Sequence, residues 1–148
     1  MMYEYWFASI QGISAKMKCR MKEIFGSEKS IYYIEETVLE KYGISDKIRQ
    51  KILQHPSEKE LERAFLKVKE KNIKYVTMND ELYPERLRYI ASPPYAIFYK
   101  GNLPESETKS VAIIGARECS SYGREFAEEY ARELASAGVQ IISGMARG

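Results

Sequence analysis

Little in this sequence invites metal or oxidative chemistry. Its 148 residues contain one histidine, His55, and two cysteines, Cys19 and Cys119, far apart. A structural zinc site needs about four nitrogen or sulfur ligands at close spacing, and no such spacing exists. Disulfides belong to oxidising compartments, so two distant cysteines read as reduced thiols in a cytoplasmic protein. Long apolar runs are also missing: none approaches the ~18 residues that suggest a membrane span. The N-terminus, with Glu4 and no basic segment, lacks the form of a secretory signal. Charge of one sign is scarce, with 23 Lys/Arg against 21 Asp/Glu and a net charge of +2, which alone does not mark a nucleic-acid binder. Neither a Ser-His-acid set nor a paired-carboxylate motif is visible. The sequence therefore predicts no catalytic residues, no metal and no cofactor.

What is present suits a soluble α+β protein: 45% hydrophobic and 30% charged residues are ordinary globular values. The small basic excess lies in residues 1–72, which hold 14 Lys/Arg and 11 Asp/Glu against 9 and 10 in residues 73–148. Residues 1–72 read as all-helical. Ser57 and Glu60 form an S-x-x-E capping box ahead of the apolar stripe Leu61, Phe65 and Val68, and Asn72 supplies the stop. A repeat lies upstream: Gly12-Ile13-Ser14-Ala15-Lys16-Met17 and Gly43-Ile44-Ser45-Asp46-Lys47-Ile48 share Gly-Ile-Ser-x-Lys-apolar. In each copy the glycine allows a tight turn and the serine can cap the next helix. Two tandem helix–turn–helix units follow from this pattern. Lys16, Lys18, Arg20 and Lys22 are the densest basic cluster and a candidate auxiliary nucleic-acid contact. Their two-residue spacing on a helix, however, divides them between opposite faces.

The pattern changes after Asn72. Residues 74–78 and 96–100 read as strands, with a short helix opened by Tyr83-Pro84 between them, and 102–110 as a polar connection. Val111-Ala112-Ile113-Ile114 suits a strand buried on both faces. A helix over about 122–137 follows, with Phe126, Tyr130 and Leu134 at four-residue spacing and Ala127, Ala131 and Ala135 beside them. Gly138 can end it, and Val139-Gln140-Ile141-Ile142 is the next strand. Such a βαβ unit has parallel strands, which puts both following loops at one sheet edge, the usual place for ligands in open α/β sheets. Gly115, Ala116 and Arg117 with Ser120, Ser121 and Tyr122 in one loop, and Ser143 and Gly144 in the other, form a candidate phosphate-binding site. Glycine lets backbone approach an anion, a helix N-terminus attracts one, and arginine is a permanently charged fork for phosphate oxygens. The set is not a dinucleotide fingerprint: Arg117 stands at the second glycine position and Ser120 at the third. Most tyrosines, including Tyr32, Tyr33, Tyr75, Tyr83, Tyr89 and Tyr99, read as core or half-buried. Tyr122, at the mouth of the loop, is the one candidate site aromatic.

Taken in order, Tyr83-Pro84-x-x-Leu87, Pro93-Pro94-x-x-Ile97-Phe98-Tyr99-Lys100-Gly101, Val111-Ala112-Ile113-Ile114-Gly115-Ala116-Arg117, Tyr122-Gly123 and Ser143-Gly144-Met145-Ala146-Arg147-Gly148 resemble the motifs of the DNA-processing protein A (Smf) family. The resemblance covers about residues 73–148 strongly and 1–72 loosely. It implies a Rossmann-like domain that binds single-stranded DNA without catalysis, protects DNA entering in natural transformation and helps load RecA recombinase. It also implies a SAM-like or helix-hairpin-helix-like helical domain over 1–72. Arg117 is implied to touch DNA phosphates, with Gly115, Ser143 and Gly144 lining the same pocket. The chain stops before the Ile-Asp that completes the family's last motif, so the expectation is an N-terminal fragment of a longer, homodimeric protein. Two other classes stay open at this point. One is an enzyme, a Rossmann-type nucleotide phosphoribohydrolase of the lysine-decarboxylase-like kind, which uses a similar glycine loop. The other treats 1–72 as a protein-interaction module.

Overall fold

A computed structural model of the chain describes residues 1–105 and 107–146. Among these, eight helices and four short strands form two compact units, residues 1–103 and 104–148. The architecture is α+β, with one antiparallel and one parallel pair of strands. No described helix is long and apolar enough to cross a membrane.

The first unit opens with α1 (Met2–Ser9) and α2 (Ala15–Phe25). Between them Gly12 takes φ +72°, in the left-handed region that side chains resist. The repeat then recurs in space. After α3 (Glu28–Tyr32), α4 (Glu36–Lys41) is joined to α5 (Asp46–Leu53) through Gly43 at φ +70°. Each glycine is followed by a buried isoleucine, Ile13 or Ile44, and a serine at the start of the next helix. The two copies differ in detail: the Ser14 hydroxyl accepts the Met17 N–H at 3.2 Å, whereas the Ser45 side chain makes no such bond. α6 (Glu58–Glu70) begins as its capping box predicts, with the Glu60 carboxylate accepting both the N–H and the hydroxyl of Ser57 at 2.9 and 2.6 Å. It ends with Asn72 at φ 52° and the Ile73 N–H on the Val68 carbonyl, a left-handed stop.

The core draws on every one of these helices: Trp6 and Phe7, Met21, Ile31 and Tyr32, Leu39, Ile52 and Leu61 are buried together. Burying each such side chain stabilises the fold by about 1.5–3 kcal/mol. Trp6 packs edge-on against the rings of Tyr32 and His55, at 5.1 and 5.9 Å, and those two rings lie 3.9 Å apart. Tyr83 is buried like Tyr32, and Tyr75 and Tyr99 are half-buried; Tyr33 and Tyr89 differ from expectation in being exposed.

β1 (Lys74–Thr77) pairs antiparallel with β2 (Ala96–Tyr99), Tyr75 opposite Phe98. The connection holds α7 (Glu85–Arg88), and its shape follows from three residues. Asp80 accepts the Thr77 N–H and hydroxyl, Tyr83 donates to the Pro94 carbonyl at 2.7 Å, and Arg88 donates to the Met78 and Asp80 carbonyls. The strand pair packs with the helices through rings: Tyr5 on α1 lies 5.6 Å from Phe65 and 6.0 Å from Phe98. The change of sequence pattern at 72/73 and the limit of the first compact unit at Leu103 thus fall at different places, because aromatic contacts join the hairpin to the helices.

In the second unit β3 (Ser110–Ala112), α8 (Ser121–Ser136) and β4 (Gln140–Ile142) form the βαβ unit, with Val111 opposite Ile141 in parallel register. α8 packs on β4. Its Ala127, Ala131 and Leu134 are half-buried, while Ala135, Phe126 and Tyr130 are exposed. The rings of Phe126 and Tyr130 stack at 4.2 Å. Gly138, at φ +80°, ends the helix, with the Val139 N–H on the Leu134 carbonyl. One expectation is corrected. The strand is Ser110–Ala112 rather than 111–114, and Val111 and Ile114 are exposed, at 40% and 89%. Ser110 is half-buried and Val111 and Ala112 are exposed, so β3 is not covered on both faces among the described residues.

Candidate nucleic-acid interface

Because β3 and β4 run in the same direction, the loops that leave them emerge at one edge of the pair. The Ile113 N–H still bonds the Ile142 carbonyl, at 3.0 Å, so the two chains part side by side just beyond that point. Gly115, Ala116 and Ser120 from the first loop and Ser143 and Gly144 from the second line one groove of about 1030 Å³. These are five of the eight residues the sequence placed there. Arg117, Ser121 and Tyr122 do not line it, although Ala116 and Glu118, on either side of Arg117, do.

The glycines of this edge differ from those of the repeat. Neither Gly115 nor Gly144 has a positive φ, and a Cβ built on either would meet no atom within 4 Å. A turn therefore does not demand glycine at these positions. What glycine does here is leave the backbone bare toward the groove, which suits close approach by a ligand. Ser120 is committed to α8: its hydroxyl accepts the Gly123 N–H at 3.1 Å. Ser143 turns back likewise and accepts the Met145 N–H at 3.2 Å. The Arg117 side chain is exposed and has no hydrogen bond or ion pair among the described residues. Its guanidinium is thus not spent on a protein carboxylate. Tyr122 is 74% exposed, its ring 6.0 Å from that of Phe126.

Sequence reasoning missed three features of the site. Arg124, one turn into α8, lines the groove, as its position four residues after the Ser120 cap could have suggested. Glu118 and Glu128 line it too, so the carboxylates outnumber Arg124 there, and attraction for an anion falls to the backbone, to Arg124 and to exposed Arg117 in the adjoining loop. Met145 adopts φ 49°, a left-handed backbone for which its side chain gave no signal. Arg147 and Gly148, the end of the last motif, lie outside the described residues.

The basic cluster on α2 is dispersed by the helix. Lys16 and Arg20 are exposed, and Lys22 is paired with Glu28 at 2.6 Å. Lys18 corrects the expectation of an auxiliary contact: it is only 2% exposed, so a nucleic acid cannot reach it. Its ammonium donates to the Ala8 carbonyl at 2.9 Å.

Comparison with known proteins agrees in where it falls along the chain. The sequence pattern described as DNA recombination-mediator protein A matches residues 74–148, from the first residue of β1 onward. Protein Smf of Borreliella burgdorferi is 43% identical over 75 residues, which are 51% of this chain and 24% of that protein. Protein Smf of Escherichia coli is 30% identical over 116 residues, 78% of this chain and 31% of the relative. DNA processing protein DprA of Bacillus subtilis is 29% identical over 89 residues, 60% of this chain and 30% of the relative. The chain thus spans about a quarter to a third of these relatives' lengths.

Proposed function

The chain belongs to the DNA recombination-mediator protein A family, and on that premise we propose that it binds single-stranded DNA at the edge where the loops after β3 and β4 meet. The observation that carries this is bare backbone exposed at both Gly115 and Gly144 along one groove, with Arg117, in the first of the two loops, exposed and without a protein partner among the described residues. Phosphate oxygens fit such an arrangement: backbone N–H groups and an unpaired arginine both favour them. Similarity to DNA processing proteins favours the same substrate.

Residues 73–148 are the opening part of a Rossmann-like DNA-binding domain, and residues 1–72 are a SAM-like or helix-hairpin-helix-like helical domain. In the longer protein the role is to protect DNA taken up in natural transformation and to help load RecA recombinase, in a cytoplasmic homodimer without catalytic activity. Burial of Lys18 and pairing of Lys22 favour a protein-contact role for the helical domain over DNA contact through α2.

Binding of labelled oligothymidine, followed by fluorescence anisotropy across a salt series, tests the site. Each phosphate contact to a single strand contributes a slope of about 0.7 in log affinity against log salt. Arg117→Ala should weaken binding and lower the slope by roughly that amount. An unchanged slope would remove Arg117, and with it the cradle, from the interface.

A further inference from the structure

Lys18 is the one lysine the fold encloses among the described residues, and what surrounds it is unusual for a cation. Its Nζ donates to the Ala8 carbonyl near the end of α1 and lies 5.6 Å from the centre of the Phe7 ring and 5.1 Å from that of Tyr95, at the start of β2. Among the described residues no carboxylate forms an ion pair with it. The charged and titratable groups on the surrounding elements are otherwise engaged or uncharged. Glu4 on α1 accepts from Tyr75 on β1, and Glu28 on α3 is paired with Lys22. On α2, burial and Glu23 push the Cys19 thiol up, so it stays neutral near pH 7. The Tyr95 hydroxyl is buried with no partner among the described residues, and burial, with Glu28 beside it, holds its proton well above the usual phenol range. The wall facing Lys18 therefore offers rings and a neutral hydroxyl, and no counter-charge.

Two effects compete over this ammonium. Ring faces attract a desolvated cation. Removing the charge from water opposes this, and costs more than ring faces return. Desolvation wins, and burial lowers the Lys18 amine to about 8 from an ordinary value of 10.5. When the proton leaves, the amine keeps N–H groups for the Ala8 carbonyl and its four-carbon stem packs as an apolar chain.

We propose that Lys18, enclosed by Phe7 and Tyr95 and bonded to the Ala8 carbonyl with no carboxylate partner among the described residues, is a pH-sensitive latch between α1, α2 and the hairpin, which grips the segment around Tyr95 more tightly when its amine is neutral. The sign follows from proton binding. With its folded value depressed, the opened state holds more protons between about pH 8 and 10.5, so closure strengthens as pH rises through that window and is level below it. Above about pH 10 the tyrosines oppose the trend, since Tyr75 and Tyr95 keep their protons longer in the closed state.

Two measurements on the whole chain test this. In a carbon-13 titration of the lysine side chains, the Lys18 resonance should turn near pH 8, apart from the other lysines. The Met78 N–H, which donates to the Tyr95 carbonyl at 2.9 Å, reports hairpin opening by hydrogen exchange. Corrected for intrinsic exchange, its protection should rise about tenfold between pH 7 and 9. Lys18→Met should be level across that interval and as protected at pH 7 as the unmodified chain is at alkaline pH. Lys18→Arg, which cannot discharge, should be level and less protected. A Lys18 resonance that titrates with its fellows, or the same pH response in Lys18→Met, would overturn the proposal. If Lys18→Met does not fold, the titration of the unmodified chain decides.

Discussion

Replacing Gly12 and Gly43 by alanine, singly and then together with a change at Lys51, separates two costs that the repeat places side by side. Both glycines hold nearly the same left-handed backbone, φ +72° and +70°, and alanine there costs roughly 1–2 kcal/mol. Their surroundings differ. A Cβ at Gly43 meets nothing within 4 Å, whereas one at Gly12 falls 2.4 Å from the Lys51 Nζ. That Nζ donates to the Gln11 carbonyl at 2.6 Å. It ends a flexible chain, so it moves aside rather than holding its ground, and the loss is one solvent-exposed hydrogen bond, worth about 1 kcal/mol. Gly43→Ala should therefore cost about 1 kcal/mol and Gly12→Ala about 2. In a Lys51→Ala background the two should become equal, since the bond is already gone. Urea unfolding followed by far-ultraviolet circular dichroism measures all of these, with constant m-values as the check on two-state behaviour. Equal costs in the unmodified background would refute the reasoning, as would a difference that survives removal of Lys51.

Other outcomes follow from local geometry. Ser14→Ala should destabilise the chain by about 1 kcal/mol, and Ser45→Ala by clearly less, because the Ser14 hydroxyl alone of the two accepts a first-turn N–H; thermal melts compare them directly. Asn72→Gly should raise stability slightly, since glycine takes the φ of 52° without a Cβ penalty, and a lower midpoint in urea would contradict this. Arg117→Ala should leave the melting curve within about 0.5 kcal/mol of the original, so that any loss of DNA binding reflects contact and not folding.

Much of this architecture is local in origin, and that part is legible from sequence. Ser57 and Glu60 specify the start of α6 within three positions, Asn72 its end, and Gly138 the end of α8. The parallel direction of β3 and β4 is equally legible, because a strand, a helix of four turns and a second strand connect in few ways. What escapes the sequence depends on distant partners. Lys18 sits at an apparently ordinary place in a basic cluster, and only Phe7 and Tyr95, brought from other elements, enclose it. The attachment of the hairpin to the helices rests on Tyr5, Phe65 and Phe98, which nothing nearby in sequence links. For the site, co-location of Gly115, Ser120, Ser143 and Gly144 was legible from topology, while the carboxylates of Glu118 and Glu128 in the same groove were not.

Trp6, packed edge-on against Tyr32 and His55 in the first unit, is the chain's single tryptophan. Excited at the red edge, where tyrosine is dark, the indole emits from residues 1–103 alone, and its colour shifts only when water enters that core. The βαβ unit is silent at that wavelength, so a spectroscopist can watch one half of the molecule melt while an amide-region signal follows both.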